Sequence, residues 1–172
     1  RVDARALEVE TAFGARHRAD VLNVIPPQKA GLIAERAGVT DASGWAPVRG
    51  EDLASPRVAG IHVLGDAALA GPIPKSGFAA NNQGKVVAAA IAAELSGRPA
   101  PAAWFANTCY SLLAPGYGIS VVGVYRAHEG RIVDLPHSVG VSPLDAPPTH
   151  RAAEARQGAD WYAAISADIW DR

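Results

Sequence analysis

The sequence predicts a mixed architecture, α/β over residues 1–97 and α+β over residues 98–172. Three observations carry this. A short apolar run over 58–64 ends in Gly65-Asp66, as a buried strand of a parallel sheet does where its carboxyl end meets a ligand. A helical pattern rich in small residues follows over 76–96. Beyond a Pro/Ala-rich link at 98–103 the pattern turns to strands joined by glycine turns, and then to a terminal helix.

Each element has its own warrant. Leu7, Val9, Thr11 and Phe13 alternate with Glu8, Glu10 and Ala12 before Gly14, and a second run over 19–25 stops at Pro26-Pro27. Period-two alternation between breakers predicts a β-hairpin. Residues 29–57, broken by Gly31, Gly38, Gly44, Gly50, Pro47 and Pro56, read as connection and covering loop, with a short helix over 32–37. On the helix over 76–96, Ala80, Gly84, Ala88 and Ala92 recur every four residues beside Val87, Ile91 and Leu95, and Gly97 and Pro99 close it. Strands over 107–113, 119–126 and 131–135, joined by Gly116-Tyr117-Gly118 and His128-Glu129-Gly130, form an antiparallel meander. After Pro147-Pro148, Thr149 caps a helix to the carboxyl terminus with Ala155, Ala159, Tyr162, Ile165 and Ile169 on one face. The composition break near residue 98 marks the domain boundary, separating 1–97 from 98–172.

Composition excludes several classes. Sixteen basic against 17 acidic residues leave a net charge of -1, without the basic footprint of a nucleic-acid binder. The longest apolar run, 86–93, is less than half of the roughly 20 residues that span a bilayer, so no membrane span is expected. No basic segment followed by an apolar one opens the chain as a signal peptide would, and the absence of Met leads us to expect that residue 1 is not where synthesis begins. A single Cys excludes an internal disulfide or a cysteine-based metal cluster, so a bridge, if one matters, draws its second sulfur from other polypeptide. The histidines at 17, 62, 128, 137 and 150 lack ligand spacing, and no metal site is expected. There is neither a serine-hydrolase elbow nor a phosphate loop, and Gly116-Tyr117-Gly118 has Val121 where a dinucleotide fingerprint needs its third glycine.

A few residues could carry chemistry. Asp66, at the carboxyl end of the run over 58–64, stands where a nucleotide's hydroxyls can be bound, although a solvated turn aspartate explains it too. Lys75, Ser76 and Gly77 open the following helix and offer a cation, a cap hydroxyl and free amides, or simply an N-cap beside an exposed lysine. Phe78 packs either on a ring system or in the core. Cys109, within Asn107-Thr108-Cys109-Tyr110-Ser111, has polar neighbours where a strand would tolerate apolar ones; an inert buried thiol is the alternative. Trp161, Tyr162 and Trp170 load the terminal helix for core packing or an interface.

Residues 24–31 (VIPPQKAG), 63–66 (VLGD), 74–84 (PKSGFAANNQG), 107–111 (NTCYS), 117–121 (YGISV) and 141–145 (VSPLD) together resemble the carboxyl-terminal part of the flavoprotein subunit of flavocytochrome c sulfide dehydrogenase, in the expected order over nearly the whole chain. The resemblance implies a flavin disulfide reductase-like fold. Residues 1–97 would be the end of its FAD-binding and NAD-like domain pair, and 98–172 a carboxyl-terminal flavin-binding domain of small antiparallel sheet plus helix. It further implies FAD as cofactor, held by Gly65 and Asp66 at the ribityl and phosphate region and approached at its ring by Lys75, Ser76 and Gly77. Cys109 would be half of a redox disulfide over the ring, and Phe78 and Trp161 would align with aromatic positions near the flavin and the cytochrome side. The family often has Tyr where Phe78 stands. The implied partners are sulfide, a c-type cytochrome subunit and the amino-terminal part of the same flavoprotein, which would carry the GxGxxG site and the second cysteine; the implied location is the periplasm. Two other readings are a sulfide:quinone oxidoreductase-like flavoprotein and a non-catalytic structural or cytochrome-docking module.

Overall fold

The computed structural model describes residues 1–171. It is a mixed α+β structure of small sheets and three helices. The amino-terminal segment is a three-stranded antiparallel sheet of β1 (Val2–Asp3), β2 (Glu8–Glu10) and β3 (Arg16–Arg18). The predicted hairpin is therefore displaced, and 19–25 forms no strand. Thr11 accepts the amides of Gly14 and Ala15 and closes the turn early, which places Arg16 and Arg18 opposite Glu10 and Glu8. Arg16 then lies 3.6 Å from both Glu8 and Glu10, so charge pairing rather than apolar alternation sets this register.

Helix α1 (Leu32–Arg36) forms where expected, and Ala34 joins Ala30, Val39 and Ala46 in a small core. The run over 58–64 is not the predicted parallel strand. Ser55 Oγ accepts the amides of Arg57 and Val58 at 3.2 and 3.3 Å, and Gly60 sits at φ +75°, so the chain doubles back. Ser55 and Val63 then bond to Ile61 and Leu53 across a tight antiparallel loop. Among the described residues, parallel pairing survives only between β4 (Ala46–Pro47) and β5 (Ala68–Leu69).

Helix α2 (Gly77–Leu95) matches its sequence pattern and is capped by Ser76. It runs beside β6 (Trp104–Ala114), the first strand of the carboxyl-terminal sheet, where Asn82 Oδ1 accepts the amide of Ala106 at 3.0 Å. β6 pairs with β7 (Tyr117–His128), and the far side of β7 pairs with β8 (Arg131–Asp134) and with β9 (Gly140–Val141), a two-residue strand that no sequence pattern announces. Phe105, Tyr125 and Ile132 from this sheet bury against Leu53, Ala70, Ile73, Ala79 and Val87, so the main core draws on residues from both sides of position 98.

Helix α3 (Pro148–Trp170) covers the opposite face of β6 and β7. Its start differs from expectation, because Pro148 takes the first helical position, where its missing N–H costs nothing, and Thr149 falls inside the first turn. Arg172, the last residue of the predicted helix, lies outside the described residues. The buried line is Arg151, Glu154, Ala155 and Gly158; of the predicted face Ala155 is buried and Ile165 half-buried, while Ala159, Tyr162 and Ile169 are exposed. Gly118 decides this docking, since a Cβ there would fall 2.6 Å from the Ala155 amide nitrogen. Beside it, Glu154 accepts the hydroxyl of Ser120 at 2.7 Å and that of Ser142, and lies 3.3 Å from Arg151, which also reaches the carbonyl of Pro143. Burial opposes ionisation of Glu154, but the Ser142 and Ser120 hydroxyls, with His150 and Arg151, outweigh it and hold the carboxyl below its ordinary value.

Two outcomes follow. Gly118→Ala pushes α3 off the sheet and lowers stability by about 2 kcal/mol or more in urea unfolding. For Glu154, a lowered folded-state pKa means stabilisation that is complete above the unfolded-state value and lost as pH falls through the folded one. The stability gap between wild type and Glu154→Gln therefore narrows as urea titrations are repeated below about pH 4.

Candidate functional site

The site is assembled around the amino terminus of α2. Gly65 stands in a short 3-10 turn at φ +68°, a conformation that suits glycine, with its amide donating to Gln83 Oε1 at 2.7 Å. Gln83 is 3 % exposed, so this buried amide anchors the turn to the helix and leaves the Asp66 carboxylate facing outward. Lys75 bridges turn and helix. Its Nζ donates to the carbonyls of Asp66 at 2.5 Å and Ala68 at 2.9 Å and lies 4.1 Å from the Trp45 ring centre. Burial lowers its pKa from the usual lysine value, against the opposing pull of Asp66.

Ser76 has an extended backbone and caps α2, its Oγ accepting the amide of Ala79 at 3.1 Å. The same hydroxyl donates to Asn107 Oδ1 at 2.5 Å. Asn107 is 1 % exposed, and its Nδ2 lies 3.5 Å from Cys109 Sγ. A line of hydrogen bonds thus runs from the first turn of the helix to the half-buried thiol. The amides of Gly77 and Phe78 remain without a partner among the described residues, as first-turn amides do, and the positive end of the helix dipole lies there.

Phe78 and Trp161 stack at 5.9 Å between centroids and 22° between planes, and Tyr110 leans on the same Trp161 at 6.3 Å. The pair walls a groove of about 320 Å³ with Asn81, Lys85, Ile165 and Asp168. Asp168 accepts from Asn81 at 3.1 Å and pairs with Lys85 at 2.9 Å.

Lys75, Ser76, Gly77, Phe78, Trp161 and Cys109 are therefore gathered about one helix end, with Gly65 and Asp66 joined to it through Lys75 and Gln83. Asn107, which the sequence offers only as a polar neighbour of Cys109, and Gln83, which it does not single out, prove to be the buried amides that tie these parts together. Among the described residues no group of three or more His, Cys, Asp or Glu side chains is placed to hold a metal ion, and no helix is long and apolar enough to cross a membrane.

Residues 101–170, which contain Cys109 and Trp161, match the family model described as flavocytochrome c sulphide dehydrogenase, flavin-binding, and this segment is a domain of that oxidoreductase family. Ser76→Ala, which removes a cap and leaves Asn107 Oδ1 with only the weak Cys109 thiol donor at 3.6 Å, is expected to cost about 2 kcal/mol in denaturant unfolding, against about 1 kcal/mol for an ordinary cap.

Proposed function

We propose that this chain is the carboxyl-terminal portion of the flavoprotein subunit of an FAD-dependent sulfide dehydrogenase, which oxidises sulfide at a redox disulfide and passes the electrons to a c-type cytochrome subunit. The observation that carries this reading is the hydrogen-bonded line from the cap of α2 to Cys109, whose strand end, Asn107 and Cys109, lies inside the segment that matches the flavin-binding family model. The chain has one cysteine. Its disulfide partner, like the dinucleotide fingerprint, would come from the amino-terminal part of the same flavoprotein.

The donor set suits a flavin nucleotide. Asp66 presents an outward carboxylate for ribityl hydroxyls, and the turn at Gly65 keeps backbone close to it. The open amides of Gly77 and Phe78, with the helix dipole behind them, would stabilise negative charge on an electron-rich ring edge. Lys75, held by carbonyls beside that end, adds positive potential, and Phe78 with Trp161 offers an aromatic wall.

In the chemistry, hydrosulfide attacks one sulfur of the disulfide; the old S–S bond breaks, a new one forms to the incoming sulfur, and the other sulfur leaves as a thiolate. FAD, when bound, supplies the acceptor for an electron pair and releases electrons singly to the cytochrome. A catalytic disulfide persists best in an oxidising compartment, which supports a periplasmic location.

Anaerobic sulfide titration of the flavin absorbance of the complete gene product tests the proposal. Wild-type flavin is expected to bleach, while Cys109→Ser, which leaves the Gly65-Asp66 turn and α2 intact, slows bleaching by at least about 100-fold. Equal bleaching of both proteins would make Cys109 a packing residue and remove the disulfide mechanism.

A further inference from the structure

Trp45 lies in the stretch that reads as covering loop, yet the fold brings it to the turn that carries Asp66. Asp41 donates its amide to the Trp45 carbonyl at 2.9 Å, and Gly44 donates to the Asp41 carbonyl at 3.0 Å. The Trp45 amide donates to Ser43 Oγ at 3.3 Å, so the loop closes on itself and delivers its last residue in a fixed direction. Ala46 then pairs in parallel with Ala68, which sets Trp45 beside the segment 66–68. The indole is half-buried against the small core of Ala30, Ala34, Val39 and Ala46.

Lys75 meets this loop from the amino terminus of α2. An ammonium has three N–H donors. Two meet the carbonyls of Asp66 and Ala68, and the nitrogen lies over the indole, 4.1 Å from the ring centre. Lys75 thus bonds the carbonyl of Asp66 rather than its carboxylate, which is left to the outside. We infer that Trp45 is a positioning residue: its ring face holds the Lys75 ammonium, as an ion, against the carbonyls of Asp66 and Ala68, so that Lys75 braces the Asp66 turn at the end of α2. No bond forms or breaks, and no proton leaves. The purpose of this clamp rests on the flavin reading above, in which Lys75 adds positive potential; its geometry does not.

The charges around Lys75 leave the ring a role. Burial of the ammonium end lowers its pKa, and Asp66 on the turn opposes that. Helix α2 has no acidic residue in its first turn and presents the positive end of its dipole there. Asp41, in the loop, is engaged by the Ser43 amide and hydroxyl. Burial and the dipole therefore favour the free amine, while the two carbonyls, Asp66 and the ring favour the ion.

The test is the pH profile of acetic anhydride labelling at Lys75 in the complete gene product, read by peptide mapping between about pH 7 and 11. Trp45→Leu keeps an apolar neighbour but removes the ring face; it is expected to move the profile about half a pH unit downward, or about threefold in labelling rate. Trp45→Phe, which keeps a ring face, restores most of that shift. Mere loosening of the loop acts in the opposite sense, because release from burial moves the profile up toward the ordinary lysine value. An unmoved or upward-moved Trp45→Leu profile overturns the inference. Should Trp45→Leu not fold, by circular dichroism, difluorotryptophan in place of tryptophan decides: it keeps the shape and weakens the negative ring face, so a downward shift supports the clamp and an unmoved profile overturns it. In FAD titrations followed by flavin fluorescence, Trp45→Leu is expected to weaken binding about threefold alone and not at all beside Lys75→Met, since the ring acts through the ammonium. An equal loss in both backgrounds assigns Trp45 a packing role and overturns the inference. Failure of the wild-type gene product to bind FAD, or equal bleaching of Cys109→Ser, counts against the function proposed above, and the labelling profile, which needs neither flavin nor sulfide, still decides the clamp.

Discussion

The hydrogen bond between Ser76 and Asn107 is the constraint on which the site depends. One partner caps α2, the other lies buried in β6, and 31 residues of chain separate them. An amide buried without partners costs about 1–3 kcal/mol, so once Phe105 enters the core and the strand continues, Asn107 must find a polar group on that face. The cap hydroxyl supplies it, and with Asn82 bonding the amide of Ala106 it fixes both the height and the rotation of the helix against the strand. Strand alternation then places Cys109 on the same face as Asn107, one residue pair further along.

The other face of the sheet is closed differently. There α3 comes so near β7 that Gly118 and Ala155 touch through backbone, and Glu154 ties Ser120 and Ser142 to the helix. A carboxylate buried among two hydroxyls and a guanidinium specifies one seating of the helix, because any shift would strand the charge. With α3 confined to that side, the row formed by Cys109, Val121 and Val141 is left partly open, the valines being 39 % and 71 % exposed. The half-buried sulfur thus lies beside the Asn107 amide while the rest of its row remains partly exposed.

The two faces also explain the aromatic cluster. Trp161 projects from α3 past Gly158 to meet Phe78 on α2 and Tyr110 on β6, so three elements share one indole. The wall beside the helix terminus exists only because the two helices flank the same strand.

Local signals were legible where local physics decides. The cap at Ser76, the length of α2, the glycine turns between β6, β7 and β8 and the polar surroundings of Cys109 could all be read from residue order, since caps, turns and periodicity act over a few positions. The run over 58–64 was misread because an apolar stretch does not state its partner, and Ser55 and Gly60 folded it back on 53–55. The face of α3 was misread for a related reason: hydrophobicity pointed to Tyr162 and Ile169, whereas the glycine at 118 and the paired charges at 151 and 154 chose the buried line. Residue order alone therefore determined the helices, the turns and the chemical types available at the site. Which faces meet, and that Asn107 joins the Ser76 cap to the Cys109 sulfur, were decided by tertiary packing, because burial compels polar groups distant in sequence to find one another.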